Sequence, residues 1–216
     1  LRDLWRRVLE RLEPSVQTQQ RLQAYLDRYP DDATVAEWLH NARDPALMAL
    51  AAAQRAMDAD RTAQAEALVL KALRLRPNHP DGLGLLGWIR MRQSRYAEAQ
   101  QLLAAAAQGS DAQKWRDLRT TARLWGLLQQ SDRAREAGDL DRAAELARQA
   151  LQQQPNNAEA LVALGQIRAE QGAEDVAQKL YRQVLALEPG HAGALRRLVA
   201  LLVRAGQFEA AMAVLD

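Results

Sequence analysis

The stretch from 157 to 191 reads NAEALVALGQIRAEQGAEDVAQKLYRQVLALEPGH, and it decides the fold. In this stretch the small Gly165 lets a first helix approach a second one, and Tyr181 fills the gap beside their closest crossing. Gly172 allows a tight turn between the two helices, and Pro189 stops the second helix. The stretch therefore predicts a pair of antiparallel helices, about 34 residues long in all.

The pattern recurs along the chain with the same period. Pro155 precedes Pro189 by one such period, and Pro77 precedes Pro155 by two periods plus 10. Pro30 in turn precedes Pro77 by one period plus 13. The offsets resemble those of the tetratricopeptide repeat. We therefore predict an all-α superhelical solenoid of such repeats, with one extra short helix and one extended helix.

The repeat boundaries divide the chain into one predicted solenoid over residues 1–216. Acidic residues at Asp31 and Asp32 are expected to cap the extra helix, which breaks before Pro45. The extended helix is expected to project beyond its neighbours, which would leave its end free to pack on something else or to act as a joint. The predicted segments are a degenerate first unit at 1–30 with a helix at 1–12, the extra helix at 31–45, repeats at 46–79, 80–107, 124–157, 158–191 and 192–216, and the helix extension at 108–123.

Composition and charge exclude several classes of protein. The chain has 29 Lys and Arg against 27 Asp and Glu, so it lacks the clustered positive charge that nucleic-acid binding needs. Cysteine is absent, which excludes a disulfide framework and thiolate chemistry. No apolar run approaches the roughly 20 residues that span a bilayer. We expect no nucleic-acid partner and no insertion of this segment into a membrane.

The sequence offers no constellation of residues for catalysis, a metal or a cofactor. The three histidines, His40, His79 and His191, have no metal-ligand spacing, and we expect His79 and His191 to lie in loops at the surface. Acidic pairs stand where helices begin, so helix capping explains them. No nucleophile stands beside a base, and no glycine loop suits a phosphate. We predict a protein that is not an enzyme.

The first helix of each repeat is expected to line a groove through its positions 2, 5, 9, 12 and 13. Trp88 and Trp125 fall at such positions, where a tryptophan could stack on a sugar ring or anchor a partner helix. The alternative is that each is covered by the neighbouring repeat. Together with a tryptophan in the helix extension, the candidate partner or glucan contacts are Trp88, Met91, Arg92, Trp115, Trp125, Arg135 and Arg196.

The segment 111–134 carries a more specific pattern than the generic repeat. It reads K-W-x2-L-x4-R-x-W-x3-Q-Q-x-D-x-A from Lys114 to Ala134, and it follows two ordinary repeats. This pattern, with the tryptophan-containing start of the chain, resembles the periplasmic tetratricopeptide-repeat region of the outer-membrane component of bacterial cellulose synthase.

The resemblance implies a location, partners and a role. It implies a periplasmic segment whose parent protein is anchored in the outer membrane by a C-terminal barrel. It also implies a scaffold that bridges the synthase, periplasmic protein partners and the exit pore, with glucan or peptidoglycan as further candidate ligands. The alternative is a bacterial repeat adaptor that binds a protein partner of another system through its concave face.

Overall fold

The computed structural model of the chain describes residues 15–109 and 112–214, and its regular elements there are all α-helices. The helix predicted at 1–12 lies outside the described residues. The described helices are α1 (Val16–Arg28), α2 (Ala33–Arg43), α3 (Pro45–Asp58), α4 (Thr62–Leu75), α5 (Pro80–Arg92), α6 (Tyr96–Ala106), α7 (Ala112–Glu136), α8 (Leu140–Gln153), α9 (Ala158–Glu170), α10 (Glu174–Leu187), α11 (Ala192–Arg204) and α12 (Phe208–Ala213).

The extra short helix and the extended helix are confirmed as α2 and α7. Asp32 caps α2, because its Oδ1 accepts a hydrogen bond from the backbone N–H of Val35 at 3.3 Å. Its Oδ2 accepts a second hydrogen bond from the buried hydroxyl of Tyr25 at 2.9 Å, which ties α2 to α1. Asp44 then caps α3 through the N–H groups of Ala46 and Leu47, just before the proline that starts the helix.

Successive helices pack as antiparallel pairs, α3 with α4, α5 with α6, α9 with α10 and α11 with α12. The turns of these pairs, and of α7 with α8, share one backbone conformation. Repeat positions are counted from the first residue of each repeat, at 46, 80, 124, 158 and 192. The residue at position 15 has a positive φ in each turn. The N–H of the residue after it donates to the carbonyl five residues earlier, as in a Schellman cap. These residues are Asp60, Ser94, Gly138, Gly172 and Gly206. Apart from one interruption between Ser94 and Gly138, they recur at the period that the sequence predicts.

The crossing of the two helices in a pair is set by the sizes of two residues, at repeat positions 8 and 24. A methyl group on Gly165 would lie 2.6 Å from Cε1 of Tyr181, and one on Gly87 would lie 2.7 Å from Cγ of Leu103. Tyr181 and Leu103 are both buried. The predicted close approach at Gly165 and Tyr181 is therefore present.

In the pair formed by α7 and α8, repeat position 8 is occupied by a serine, Ser131. Ser131 is 1% exposed, and its hydroxyl donates to the carbonyl of Ala143 in α8 at 2.8 Å. A buried hydroxyl needs such a partner, because an unpaired one would cost about 1 to 3 kcal/mol. The residue at the second position is Ala147, which is fully buried and small enough to admit the serine.

The first turns of α7 do not project freely, and the expectation of a free end was wrong. Trp115 lies across Gly84 of α5, where any side chain would collide with the indole ring. The tryptophan is 1% exposed. The 25-residue α7 packs on α5 near its start and on α8 near its end. The residues that make α7 longer than the first helix of other repeats therefore take part in helix packing.

The chain forms two compact units, and the boundary between Thr120 and Thr121 falls inside α7. The second unit has a core of aliphatic residues and Tyr181 at the α9–α12 hairpins. The division into repeats within one solenoid stays a prediction, and the two units are treated separately below.

Candidate functional site

We call groove face the surface that carries positions 2, 5, 9, 12 and 13 of the first helix of each pair. In the first unit the predicted contacts on this face belong to α5. Trp88 and Met91 are half-buried, and Arg92 is exposed. Arg92 forms an ion pair with Asp60, the turn residue of the preceding pair. Asp60 therefore already balances the charge of Arg92. The distinctive part of the groove face on α5 is the pair of apolar side chains, Trp88 and Met91.

Trp115 does not belong to the groove face, which corrects its selection as a partner contact. With 1% of the residue exposed, its ring is enclosed, and Gly84, a predicted groove position, lies beneath it. The ammonium of Lys114 lies 4.4 Å from the centroid of the indole ring, a distance that suits a cation–π contact. Sequence spacing missed this packing because it places Trp115 in an insertion, outside any repeat position.

Beside the groove face, the first unit has an ionic cluster that the sequence did not indicate. Nη1 of Arg90 donates to Oε1 of Glu66 at 2.5 Å, and Nε2 of Gln93 donates to Oε2 of the same carboxylate at 2.7 Å. The hydrogen bond from Arg90 lowers the pKa of Glu66 below its ordinary value, although partial burial opposes this. The cluster links α4 to α5 across consecutive pairs.

In the second unit the groove face contains an exposed tryptophan and an arginine that donates hydrogen bonds to two carboxylates. Trp125 is 37% exposed, so its ring is accessible. Arg135 donates to Asp132 at 2.7 Å on its own helix and to Glu170 of α9 at 3.2 Å. The hydrogen bond to Asp132 raises the pKa of Arg135. Arg196 is exposed on α11.

A cavity of about 340 Å³ lies between α9 and α11 in the same unit. Its lining mixes charged, polar and small apolar side chains: Gln166, Ala169, Glu170, Tyr181, Arg197, Ala200, Leu201 and Arg204. Burial raises the pKa of Tyr181 to about 12. The sequence pointed to Arg196, but the arginine that lines the cavity is its neighbour Arg197.

The two histidines expected in surface loops are N-cap residues. His191 accepts a hydrogen bond at Nδ1 from the N–H of Ala194, at 3.1 Å, and its Nε2 lies 3.6 Å from Glu159. His79 precedes α5 in the equivalent place but makes no capping bond with its side chain. Each histidine directly precedes the first residue of a helix, Pro80 or Ala192. This position in the sequence could have identified both histidines as N-cap residues.

Neither a metal site nor a membrane span is found in the described part of the chain. Over residues 15–109 and 112–214, no three His, Asp or Glu side chains are grouped so that they could hold a metal ion. No helix within these ranges has both the length and the apolar composition to cross a bilayer. What the described surfaces provide is exposed aromatic, ionic and hydrogen-bonding side chains along the first helices.

Helix pairs of this period, with left-handed turns at position 15 and a small residue at position 8, define a class of protein. The chain belongs to the tetratricopeptide-repeat family, whose models match residues 50–113, 134–180 and 168–216. Proteins built from this repeat are generally non-catalytic scaffolds that present long binding surfaces to other proteins.

Within that class, the chain is similar over its whole length to cellulose synthase operon protein C of Xanthomonas axonopodis pv. citri. The two are 39% identical over 225 residues, which is 100% of this chain and 15% of that protein. The protein of the same name from Pseudomonas fluorescens is 31% identical over 99% of this chain and 17% of its own length. The resemblance drawn from 111–134 is confirmed, and the chain spans less than a fifth of the length of these relatives.

Solved structures share the fold at low identity. PilF of Pseudomonas aeruginosa matches 99% of this chain and 90% of its own, with a TM-score of 0.51 and 18% identity. A MamA fragment from Desulfovibrio magneticus RS-1 matches 80% of this chain and 92% of its own, with a TM-score of 0.50 and 16% identity. These matches support the all-α repeat fold alone.

Proposed function

We propose that this chain is a protein-docking segment of a machinery that synthesises and exports cellulose. In this role it binds protein partners of the complex along its groove face and helps to hold the synthase, periplasmic components and the outer-membrane exit pore in line. It works in the periplasm, as part of a larger protein anchored in the outer membrane. It makes and breaks no covalent bond of the polymer.

The observation that carries the proposal is the similarity along the whole chain to cellulose synthase operon protein C. A repeat fold of this kind suits docking, because each helix pair buries its apolar side against the next and leaves a long surface free. The described groove-face contacts proposed for a partner are Trp88, Met91, Arg92, Trp125, Arg135 and Arg196. The exposed ring of Trp125 could also stack on glucan or on the sugar of peptidoglycan.

The test is a segment exchange in the full-length relative, within a strain that secretes cellulose. The corresponding segment is replaced either by this chain or by a tetratricopeptide-repeat segment of equal length from an unrelated protein. Cellulase-sensitive glucan outside the cell is then measured. We expect this chain to preserve secretion and the unrelated repeats to abolish it, while the amount of parent protein in the outer membrane stays equal.

Two outcomes would contradict the proposal. Equal secretion with both inserts would mean that the segment is a spacer with no docking role. Protection of the segment from protease after the outer membrane is permeabilised, together with digestion only after cell lysis, would remove the periplasmic location. The second outcome would favour the adaptor of another system.

A further inference from the structure

A histidine directly precedes both α5 and α11, but it caps the helix with its side chain only at α11. We propose that His191 is an acid-sensitive cap. The neutral imidazole caps α11, and the imidazolium leaves the helix end and pairs with Glu159 of α9. This pH response belongs to the chain itself, so it does not depend on the docking role proposed above.

Three equivalent helix starts differ in the residue that precedes the helix. His79, Asn157 and His191 all have an extended backbone there, with φ of −66°, −71° and −70°. Oδ1 of Asn157 accepts a hydrogen bond from the N–H of Ala160 at 3.0 Å. Nδ1 of His191 accepts the equivalent bond from the N–H of Ala194 at 3.1 Å. An imidazole nitrogen therefore does at α11 what an amide oxygen does at α9.

The cap determines which nitrogen of His191 carries hydrogen. A ring nitrogen that accepts a hydrogen bond carries no hydrogen, so the neutral ring has its hydrogen on Nε2. Nε2 lies 3.6 Å from Oε1 of Glu159, which is within the range of an ion pair but longer than a good hydrogen bond. One nitrogen thus faces the start of α11, and the other faces a carboxylate of α9.

Protonation removes the acceptor on which the cap depends. The added hydrogen of the imidazolium is placed on Nδ1, where it points at the N–H of Ala194. Two N–H groups do not bond to each other, so the cap is lost. The start of a helix also carries a partial positive charge, which disfavours a cation there. Acid therefore drives the ring of His191 away from the end of α11.

The surroundings of His191 give the imidazolium a second position. The side chain of Glu159 is 55% exposed, so its carboxylate can move toward the ring, whereas the histidine side chain is 14% exposed. Gly193 leaves the space that the imidazole occupies, because a methyl group there would lie 3.2 Å from Cε1 of the ring. A small rotation of His191 then exchanges the bond to α11 for an ion pair with α9.

Charged groups of the neighbouring elements leave Glu159 as the partner of the imidazolium. The turn after α10 contributes Glu188, whose backbone carbonyl accepts from the N–H of His191 at 3.0 Å and whose side chain is exposed. On α11 the first charged residue is Arg196, which is also exposed. The one charged residue of α12 is Glu209, near the opposite end of α11. Among the described residues, the carboxylate within ion-pair distance of His191 is that of Glu159.

The test is a titration of the ¹⁵N-labelled chain from about pH 8 to about pH 5, the range in which histidine changes its charge. NMR of the imidazole nitrogens shows which of them carries hydrogen, and the backbone amide signals report the caps. At the upper end we expect hydrogen on Nε2 of His191. As the pH falls, the amide of Ala194 should shift together with the imidazole signals. The amide of Ala160, capped by Asn157, should not shift.

Two variants separate the cap from the ion pair. His191→Asn copies the cap of the preceding repeat, so the amide of Ala194 should no longer respond to pH. At about pH 5 this amide should exchange its hydrogen about fivefold more slowly than in the parent chain, which is the usual size of a capping effect. Glu159→Gln removes the attraction for the imidazolium, so the midpoint of the Ala194 response should fall by about half a pH unit.

Three results would each overturn the acid-sensitive cap: an Ala194 amide that ignores pH in the parent chain, an equal response in His191→Asn, or hydrogen on Nδ1 at about pH 8. An unchanged midpoint in Glu159→Gln would overturn the pairing with α9. Dispersed amide signals throughout each titration show that the fold is intact, so these results report the cap and not unfolding.

Discussion

The ring of Tyr181 lies against the backbone of Gly165, in the space where any other residue would have a side chain. A methyl group at Gly165 would be 2.6 Å from Cε1 and 3.0 Å from Cζ of the tyrosine. Tyr181 is 1% exposed and packs in the core of the second unit, so its ring has little freedom to retreat. The contact fixes how closely α9 and α10 cross.

Gly165→Ala should therefore destabilise the chain. Overpacking costs about 1 to 3 kcal/mol and exceeds the gain of about 1 kcal/mol from replacing glycine inside a helix. We expect a net loss of roughly 1 kcal/mol in the free energy of unfolding, measured by urea denaturation. Gly190→Ala is a control for the added methyl group alone, because Gly190 lies in the turn after α10 and a methyl group there meets nothing within 4 Å. Alanine at 165 should cost less in a Tyr181→Leu background, and equal costs would refute the contact.

The left-handed turn at Gly172 gives a second prediction. Its φ of +80° is in the region that residues with a Cβ rarely adopt. Gly172→Ala should lower the free energy of unfolding by about 1 to 2 kcal/mol, and Gly172→Asn by less, since asparagine tolerates this region. Thermal and urea unfolding measure the difference. No cost for alanine would mean that the turn adopts another conformation in solution.

Trp115 and Trp125 differ in burial, and their variants should differ in stability. Trp115→Ala should cost about 3 to 5 kcal/mol through the cavity it leaves over Gly84. Trp125→Ala should cost less, about 1 to 2 kcal/mol, since its ring is partly exposed and removing it opens no enclosed cavity. Intrinsic fluorescence followed through urea unfolding measures both, and loss of Trp115 should remove the most blue-shifted emission. Similar costs for the two variants would place Trp115 at the surface.

The pairing of Glu66 with Arg90 predicts a pH dependence. Because the arginine lowers the pKa of Glu66 in the folded chain below its ordinary value of 4.5, the unfolded chain takes up the proton first as pH falls. The stabilisation is present above pH 4.5 and is lost as pH falls through the folded pKa. Glu66→Gln should be less stable than the parent at neutral pH and equal to it in acid. The urea midpoints of the parent chain and of Glu66→Gln, measured from neutral pH downward, test this. A difference between the two midpoints that stays constant with pH would contradict it.

The sequence was sufficient where a local pattern determines the structure. Gly165, Tyr181 and Gly172 sit at repeat offsets with a single packing or turn role, so the helix pairs and their crossing followed from spacing. Asp32 was predicted as a cap because an acidic residue before a helix accepts free N–H groups. The extended α7 followed from a long interval that contains no proline and only one glycine, Gly126.

What the sequence missed depends on contacts between separate segments. Trp115 and Gly84 belong to different helices, and no repeat offset connects them, so the tryptophan was taken for a surface residue and the glycine for a groove position. The arginine that lines the cavity is the next one after the predicted Arg196, which on a helix is a rotation of about 100°. Such a rotation decides whether a side chain faces α9 or solvent, and spacing rules do not resolve it.

The side chains at repeat positions 8 and 24 match each other in size, and this match constrains which substitutions the chain can accept in evolution. The pairs are Ala53 with Val69, Gly87 with Leu103, Ser131 with Ala147 and Gly165 with Tyr181. The largest second member stands opposite a glycine, and the smallest opposite the serine. A single substitution at either site creates a collision or a void, so lineages should change both sites together. The two sites of each repeat should thus evolve as a unit.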